Sequence, residues 1–366
     1  MLGSLIDRLR GRRQRDRRVD FYCSTWIDEI WVRSSALAAR QAGFATRMII
    51  SNERDSWPGD LVGCYASAGI PLEWAPTVEH LHALSCRVVV TASSGIPRSY
   101  FGATLDRLIH MPHSLASLHV IYEAEAFDDC DTLFAAGPHH VQEFEALGQA
   151  NGLGSRLSFP VGYGKFDMMR KEALAIDAPA GRHVLVAPSW GENNLLNLIG
   201  LALTEHLAAA GWAVVLRPHP SFFFAPDGLL DTILARFAGD PRVSVEKSTG
   251  GSAALWTADA LITDYSGFAL EFAALRRRPC LFVDGPRKIL NPGWEALGLP
   301  AAEIDLRERL GLVAETSPQA ILDGLERLAA MSALGPDELA SFLYDEADVG
   351  ARVLTLLANN IPEVEG

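Results

Sequence analysis

The sequence predicts an α/β protein of two domains, each built around a parallel sheet. Short apolar runs alternate with segments of helical spacing, the pattern that parallel strand–helix–strand units require. The alternation comes in two series, separated by a Lys-, Glu-, Ala- and Pro-containing stretch at 170–181. A length of 366 residues also suits two cores, since a domain typically takes roughly 150 residues.

In the first series, "VDFYCST" (19–25) reads as a buried strand. "IDEIWVRSSALAARQAG" (27–43) has helical spacing and a glycine stop, and "FATRMIIS" (44–51) reads as the next strand. "CRVVVTAS" (86–93), "RLIHMP" (107–112) and "DTLFAAG" (131–137) continue the strands. In the second series, "HVLVAPS" (183–189) is a strand, 194–211 a helix and "WAVVLRPHP" (212–220) a strand. "RVSVEKS" (242–248), "ADALITDYS" (258–266) and "PCLFVDG" (279–285) follow, with the helix "GFALEFAALRRR" between the last two. The expected division is a basic extension at 1–18, a first domain at 19–168, a second at 182–340, and a C-terminal helix within 341–366.

Composition narrows the function. Apolar residues make up 49% and charged residues 21%, a balance able to build full cores. No apolar stretch approaches the ~18 residues a membrane span needs. The five cysteines are scattered and lack a C-x-x-C pair, which predicts reduced thiols in a cytoplasmic protein rather than disulfides or a zinc site. Residues 1–18 hold seven arginines and two aspartates, or +5, so a net charge of −13 leaves −18 on the rest. An acidic body argues against nucleic acid as a partner, because phosphate neutralisation needs clustered Lys and Arg. In the extension, Leu2, Leu5, Ile6 and Leu9 share one helical face among arginines. It reads either as a peripheral anchor on an anionic membrane surface or as a solvated terminus.

In doubly wound sheets, ligands bind outside the carboxyl ends of strands. The segment "LITDYSGFALEF" places a buried strand, five polar or small residues and a buried helix in succession. Ser266 is suited to start the helix, and Gly267 allows a ligand to approach the backbone. The free N–H groups there suit phosphate, and Glu271 lies one turn in, within reach of ribose hydroxyls. The bland alternative is that Asp264 and Ser266 only cap the helix. "RPHP" ends another strand with Arg217, able to fork onto phosphate, and His219, able to donate to it. His110 lies within an apolar strand and reads as a core residue. His113 falls just past that strand, where a general base could meet a hydroxyl. Ser189 and Lys165 occupy further strand ends.

Other chemistries find no support. A G-x-S-x-G elbow is missing around Ser266, and neither G-x-G-x-x-G nor a P-loop motif occurs. The pair His139-His140 and "FDDCD" (127–131) invite a metal reading, but the acidic run reads as a solvated approach to a strand. No metal and no cofactor is expected.

Taken together, "PHS" (112–114), "GYGKFD" (162–167), "APSW" (187–190), "RPHP" (217–220) and "TDYSG…E" (263–271) resemble, in this order, the CDP-glycerol glycerophosphotransferase family of teichoic-acid primases and polymerases. "EADVGARVL" (346–354) resembles that family's C-terminal ending, so the likeness spans about 107–355. It implies a GT-B architecture, two Rossmann-like domains facing a central cleft, with the C-terminal helix crossing back. It also implies transfer of a polyol phosphate from a CDP-activated donor to a glycan or glycolipid hydroxyl, releasing CMP. His113 would be the base, while His219 and Arg217 would stabilise phosphate charge. Pro112, Ser114, Lys165, Pro188, Ser189, Pro218, Asp264, Ser266 and Gly267 would line the substrate site, and Glu271 would hold the nucleotide. Three positions depart from the family pattern: Ser114 replaces a glycine, Gly267 a serine and Glu271 an aspartate. The chain length favours a single transfer over polymerisation. The alternatives on the same fold are a sugar-nucleotide glycosyltransferase or epimerase and a non-catalytic nucleotide-binding regulator.

Overall fold

The computed structural model describes residues 18–174, 176, 181–224, 228–247, 252–345 and 347–360. Most of the basic N-terminal extension, and with it the anchoring expectation, lies outside these residues.

Two all-parallel sheets form the frame. The first holds β1 (Arg18–Cys23), β2 (Ala45–Ile50), β3 (Leu72–Trp74), β4 (Val88–Thr91), β5 (Arg107–His110), β6 (Thr132–Ala135) and β7 (Leu157–Pro160). Their spatial order is β3-β2-β1-β4-β5-β6-β7. The second holds β8 (His183–Val186), β9 (Ala213–Leu216), β10 (Val243–Val245), β11 (Ala260–Thr263), β12 (Cys280–Val283) and β13 (Gly311–Ala314). Their order is β10-β9-β8-β11-β12-β13. The central strands are buried on both faces, which is why they read as unbroken apolar runs. In both sheets the strand order reverses once, between β1 and β4 and between β8 and β11. Crevices at such reversals are where open α/β sheets bind ligands.

Three strands escape the sequence pattern. β3, β7 and β13 all lie at sheet edges and are half-exposed, so no continuous apolar run marks them. Several expected strands overran their true ends, because residues such as Pro188, Ser189, His219 and Ser266 leave the sheet to line the cleft. The expected connector at 170–181 begins inside the Lys165–Ala173 helix.

One apolar cluster spans both halves. It runs from Phe21, Val90 and Ile109 in the first sheet to Leu261 in the second and Phe268 and Phe272 on the helix after it, and on to Val349, Val353 and Leu357. The Val349–Asn360 helix packs on the Glu29–Gln41 helix of the first half. Its start is held by Asp167, whose carboxylate accepts from Val349 N at 3.1 Å and Gly350 N at 2.9 Å. The loop after β5 also docks on the second half. Ser117 N donates to Glu303 Oε2 at 2.9 Å, Ala302 N to Ser117 Oγ at 2.7 Å, and Asn291 Nδ2 to His119 O at 3.0 Å. No helix among the described residues is long and apolar enough to cross a membrane.

Candidate active site

Between the sheets lies a cleft of about 410 Å³, lined from both halves. This is within the size range of small-molecule sites, roughly 300–1,000 Å³. The first half contributes residues following β1 (Asp28, Trp31), the His113-Ser114 turn after β5, Tyr122 and Lys165. The second contributes Pro188 and Ser189 after β8, Arg217 and His219 after β9, and Ser266, Gly267 and Glu271 after β11.

His113 is held in one tautomer. Its Nδ1 lies 2.7 Å from Ala92 O. A carbonyl only accepts, so Nδ1 carries a proton, and it is the Nδ1–H tautomer of the neutral imidazole that presents an unprotonated Nε2. The Tyr122 hydroxyl donates to that Nε2 at 3.2 Å. Burial raises the Tyr122 hydroxyl far above its ordinary range, so it remains a neutral donor. Trp31 and Tyr122 close on the imidazole edge-on, at 5.7 and 5.5 Å between centroids.

His219 has the opposite tautomer. Ser221 N donates to its Nδ1 at 3.3 Å, which leaves the proton on Nε2. Burial, then the charge of Arg217, pushes this imidazole down to about 4, so near neutral pH it is an uncharged N–H donor. Arg217 itself is buried, with its guanidinium 4.4 Å over the Phe268 ring and Nε 3.3 Å from Glu246 Oε2.

A buried ion pair joins the two halves. Lys165 Nζ donates to Glu271 Oε2 at 2.8 Å, both side chains being almost fully buried. Burial pulls the Lys165 ammonium below its ordinary value, and the Glu271 charge opposes this. The Tyr163 hydroxyl accepts from Trp31 Nε1 at 2.6 Å and sits 2.8 Å from Glu271 Oε1 and 2.9 Å from His113 O. Its single proton serves one of those two acceptors at a time. Burial keeps that hydroxyl protonated. The chain comes close enough for this network only because residue 164 is glycine. A Cβ there would stand 1.9 Å from Trp31 O.

At the start of the Phe268–Arg276 helix, Ser266 Oγ accepts from Phe268 N at 3.3 Å. A Cβ on Gly267 would stand 2.4 Å from Ser114 Oγ. Residues 114 and 267 therefore meet where the two walls join. A hydroxyl on residue 114 occupies space that a side chain on residue 267 would need.

Of the residues singled out in the sequence, ten line the cleft: His113, His219, Ser114, Lys165, Pro188, Ser189, Arg217, Ser266, Gly267 and Glu271. Three do not. Pro112 and Pro218 are buried behind the turns they stiffen. Asp264 is 4% exposed, and its carboxylate accepts from Ser189 N at 2.6 Å, Ser189 Oγ at 2.9 Å and Leu195 N at 3.0 Å. It therefore holds the 187–195 loop in place, a positioning role rather than a contact with the cleft. Asp28, Trp31 and Tyr122 line the cleft without having been read as site residues. No motif marks them, although their place after β1 and after the His113 turn could have suggested them.

No protein-family model matches the chain. No curated protein matches it either. Solved structures do. The UDP-GlcNAc 2-epimerase of Methanocaldococcus jannaschii, in complex with UDP-GlcNAc and UDP, superposes with a TM-score of 0.61 at 13% identity, covering 93% of this chain and 99% of that one. S. aureus MnaA with UDP gives 0.61 at 12% identity, over 94% and 96%. The UDP-GlcNAc 2-epimerase of Neisseria meningitidis bound to UDP-GlcNAc gives 0.54 at 10% identity, over 93% and 98%. At these identities the likeness establishes the fold. The chain has the GT-B architecture of two Rossmann-like halves around a cleft.

Proposed function

We propose that the cleft binds a nucleoside-diphosphate-activated sugar and that the protein transfers the sugar to an acceptor hydroxyl, as on a glycan or glycolipid. The reading rests above all on one arrangement: an imidazole whose Nε2 meets only the Tyr122 hydroxyl on one wall and phosphate-directed donors on the other. The donors are Arg217, His219 Nε2–H and the helix start at Ser266-Gly267. The sugar nucleotides bound to proteins of the same fold support this class of donor.

In the proposed reaction the acceptor hydroxyl gives its proton to His113 Nε2, displacing the Tyr122 hydroxyl. Its oxygen bonds to the anomeric carbon, the carbon–oxygen bond to the β-phosphate breaks, and the nucleoside diphosphate leaves with the electron pair. Arg217 and the uncharged His219 donor receive that developing charge. Glu271 already accepts from Lys165 and faces Tyr163, but a carboxylate has about four lone-pair sites, so ribose hydroxyls can share it. Both carboxylates that line the cleft are engaged. Asp28 Oδ2 accepts from Ser93 Oγ at 2.6 Å and Ser24 Oγ at 3.1 Å, and Glu271 is paired. The His113 imidazole, facing the phosphate-directed donors across the cleft, is the base of this reading, and it suits activation of an acceptor hydroxyl.

A second reading is carried by the ordered motif set from 112 to 271. In it the same hydroxyl attacks the β-phosphorus of a CDP-activated polyol, and CMP leaves. The leaving nucleotide separates the two. UDP-GlcNAc and CDP-glycerol, each incubated with the enzyme and a pool of sugar and polyol acceptors, are followed by nucleotide chromatography. His113-dependent release of UDP supports sugar transfer, and CMP release supports the polyol reading. Isomerised UDP-sugar without nucleotide release contradicts both.

A further inference from the structure

The loop that begins at His113 runs on beneath the first turn of the Pro138–Ala150 helix. There His139 Nε2 lies 3.0 Å from Leu115 O, and His140 Nε2 lies 3.0 Å from Ala116 O. Both partners are carbonyls, so both Nε2 atoms carry protons and both neutral rings keep a lone pair on Nδ1. Neither Nδ1 has a hydrogen-bond partner. The rings are tilted 39° to each other, with centroids 3.8 Å apart. Glu143, one turn further, accepts from Leu118 N through Oε2 at 2.7 Å. Its Oε1 makes no hydrogen bond and has His119 Nδ1 3.2 Å away in poor alignment.

Ligand atoms of His139, His140 and Glu143 lie within 4.8 Å of one another. His140 is 0% and Glu143 1% exposed. Among the described residues no other group of three or more metal-ligating side chains converges in this way. A buried acceptor left without a donor costs about 1–3 kcal/mol, so three together call for an explanation. One water offers two protons to three acceptors. A cation satisfies all three at once.

We propose that His139 Nδ1, His140 Nδ1 and Glu143 Oε1 form a binding site for a divalent transition-metal ion of the zinc type. Imidazole nitrogens select such ions over magnesium or calcium. The Leu115 and Ala116 carbonyls act as the outer partners that orient ligating histidines. None of the three residues lines the cleft, so the ion's task is structural. It fastens the 115–120 loop, which begins two residues after His113, to the Pro138–Ala150 helix. The site is independent of which donor the cleft accepts.

The test uses the full chain, stripped with a chelator and titrated with Co²⁺. The expected result is one Co²⁺ per chain with a visible ligand-field band, no sulfur charge transfer, and displacement by Zn²⁺. His139→Ala and Glu143→Gln should each weaken Co²⁺ binding by at least about 100-fold, since loss of an outer partner alone costs about 10–100-fold. His139 is partly exposed, and the amide introduced by Glu143→Gln keeps an acceptor for Leu118 N, so both variants preserve the surrounding fold. Absence of the band in the titrated wild-type protein, a result that needs no variant to fold, overturns the site. An unchanged band in both variants overturns it equally.

Discussion

The two walls of the cleft are built by different means. The wall from the second sheet presents groups fixed by backbone: the start of the Phe268–Arg276 helix, the turn carrying Arg217 and His219, and the 187–195 loop pinned by Asp264. The wall from the first sheet presents groups fixed by side chains. His113 stands between Ala92 O, Tyr122 and Trp31, while Tyr163 links Trp31 to Glu271 on the opposite wall. The difference matches the division of labour proposed for the walls. Phosphate is met by fixed donors that need no rearrangement, whereas a base must exchange its resting partner for a substrate proton.

Replacing His113 by alanine tests that division most strongly. Turnover should fall by about 10²–10⁴-fold, the usual worth of a positioned general base, while calorimetric nucleotide affinity stays within a few-fold. Loss of nucleotide binding instead would mean that the first wall also holds the donor. Breaking the pair that joins the walls should come next. Lys165→Met leaves Glu271 buried without its cation, and removing one partner of a buried pair costs about 3–5 kcal/mol. Lys165→Met combined with Glu271→Leu should recover much of that stability in urea unfolding. A double variant no more stable than the single one would show that the pair is not a closed unit.

A smaller effect sharpens where the walls meet. Gly267→Ser brings a Cβ against Ser114 Oγ, which should weaken nucleotide binding about tenfold or more. Ser114→Gly in the same chain should restore it. Neighbouring residues couple by about 0.5–3 kcal/mol, so purely additive effects of the two changes would place the residues apart in solution.

A further expected effect concerns pH. Burial holds His110 well below its ordinary range and His219 at about 4. Between about pH 6.5, where unfolded histidine titrates, and 4, the unfolded chain binds protons that the fold does not. Stability contributed by these neutral rings is therefore present above that window and is lost as pH falls through it. Glu303 acts oppositely. Burial raises its carboxyl to about 7, so its contribution is present at low pH and lost as pH rises from the ordinary carboxylate range to 7. His110→Phe should flatten the fall in unfolding free energy between pH 6.5 and 4, read from urea unfolding, by about one proton's worth, or ~1.4 kcal/mol per pH unit. An unaltered slope would assign it to other groups.

The same comparison explains what could be read from the sequence. The second wall is written in short contiguous segments, "APSW", "RPHP" and "TDYSG", because each is one strand end and its turn. The first wall gathers Asp28, Trp31, Tyr122 and Tyr163 from separate elements, and only the fold brings them to His113. Asp264 was legible as important but not in its role, since an aspartate at a strand end can face a ligand or pin a neighbouring loop. In this chain Ser189 N and Leu195 N already occupy its carboxylate. The strands were legible where both faces are buried, and of the four edge strands only β10 was read. The pair His139-His140 stood out in the sequence, but its convergence with Glu143 depends on one turn of helix over the 115–120 loop.

The most direct measurement is isothermal calorimetry of the full-length protein with UDP, UDP-GlcNAc, CDP, CMP and CDP-glycerol, repeated with Arg217→Ala. The expected result is one site per chain for a nucleoside diphosphate, with the uridine ligands preferred and the affinity lost in the variant. Preference for the cytidine ligands would move the donor to the polyol reading. Heat from none of them, or binding unaffected by Arg217→Ala, would contradict a donor seat in this cleft.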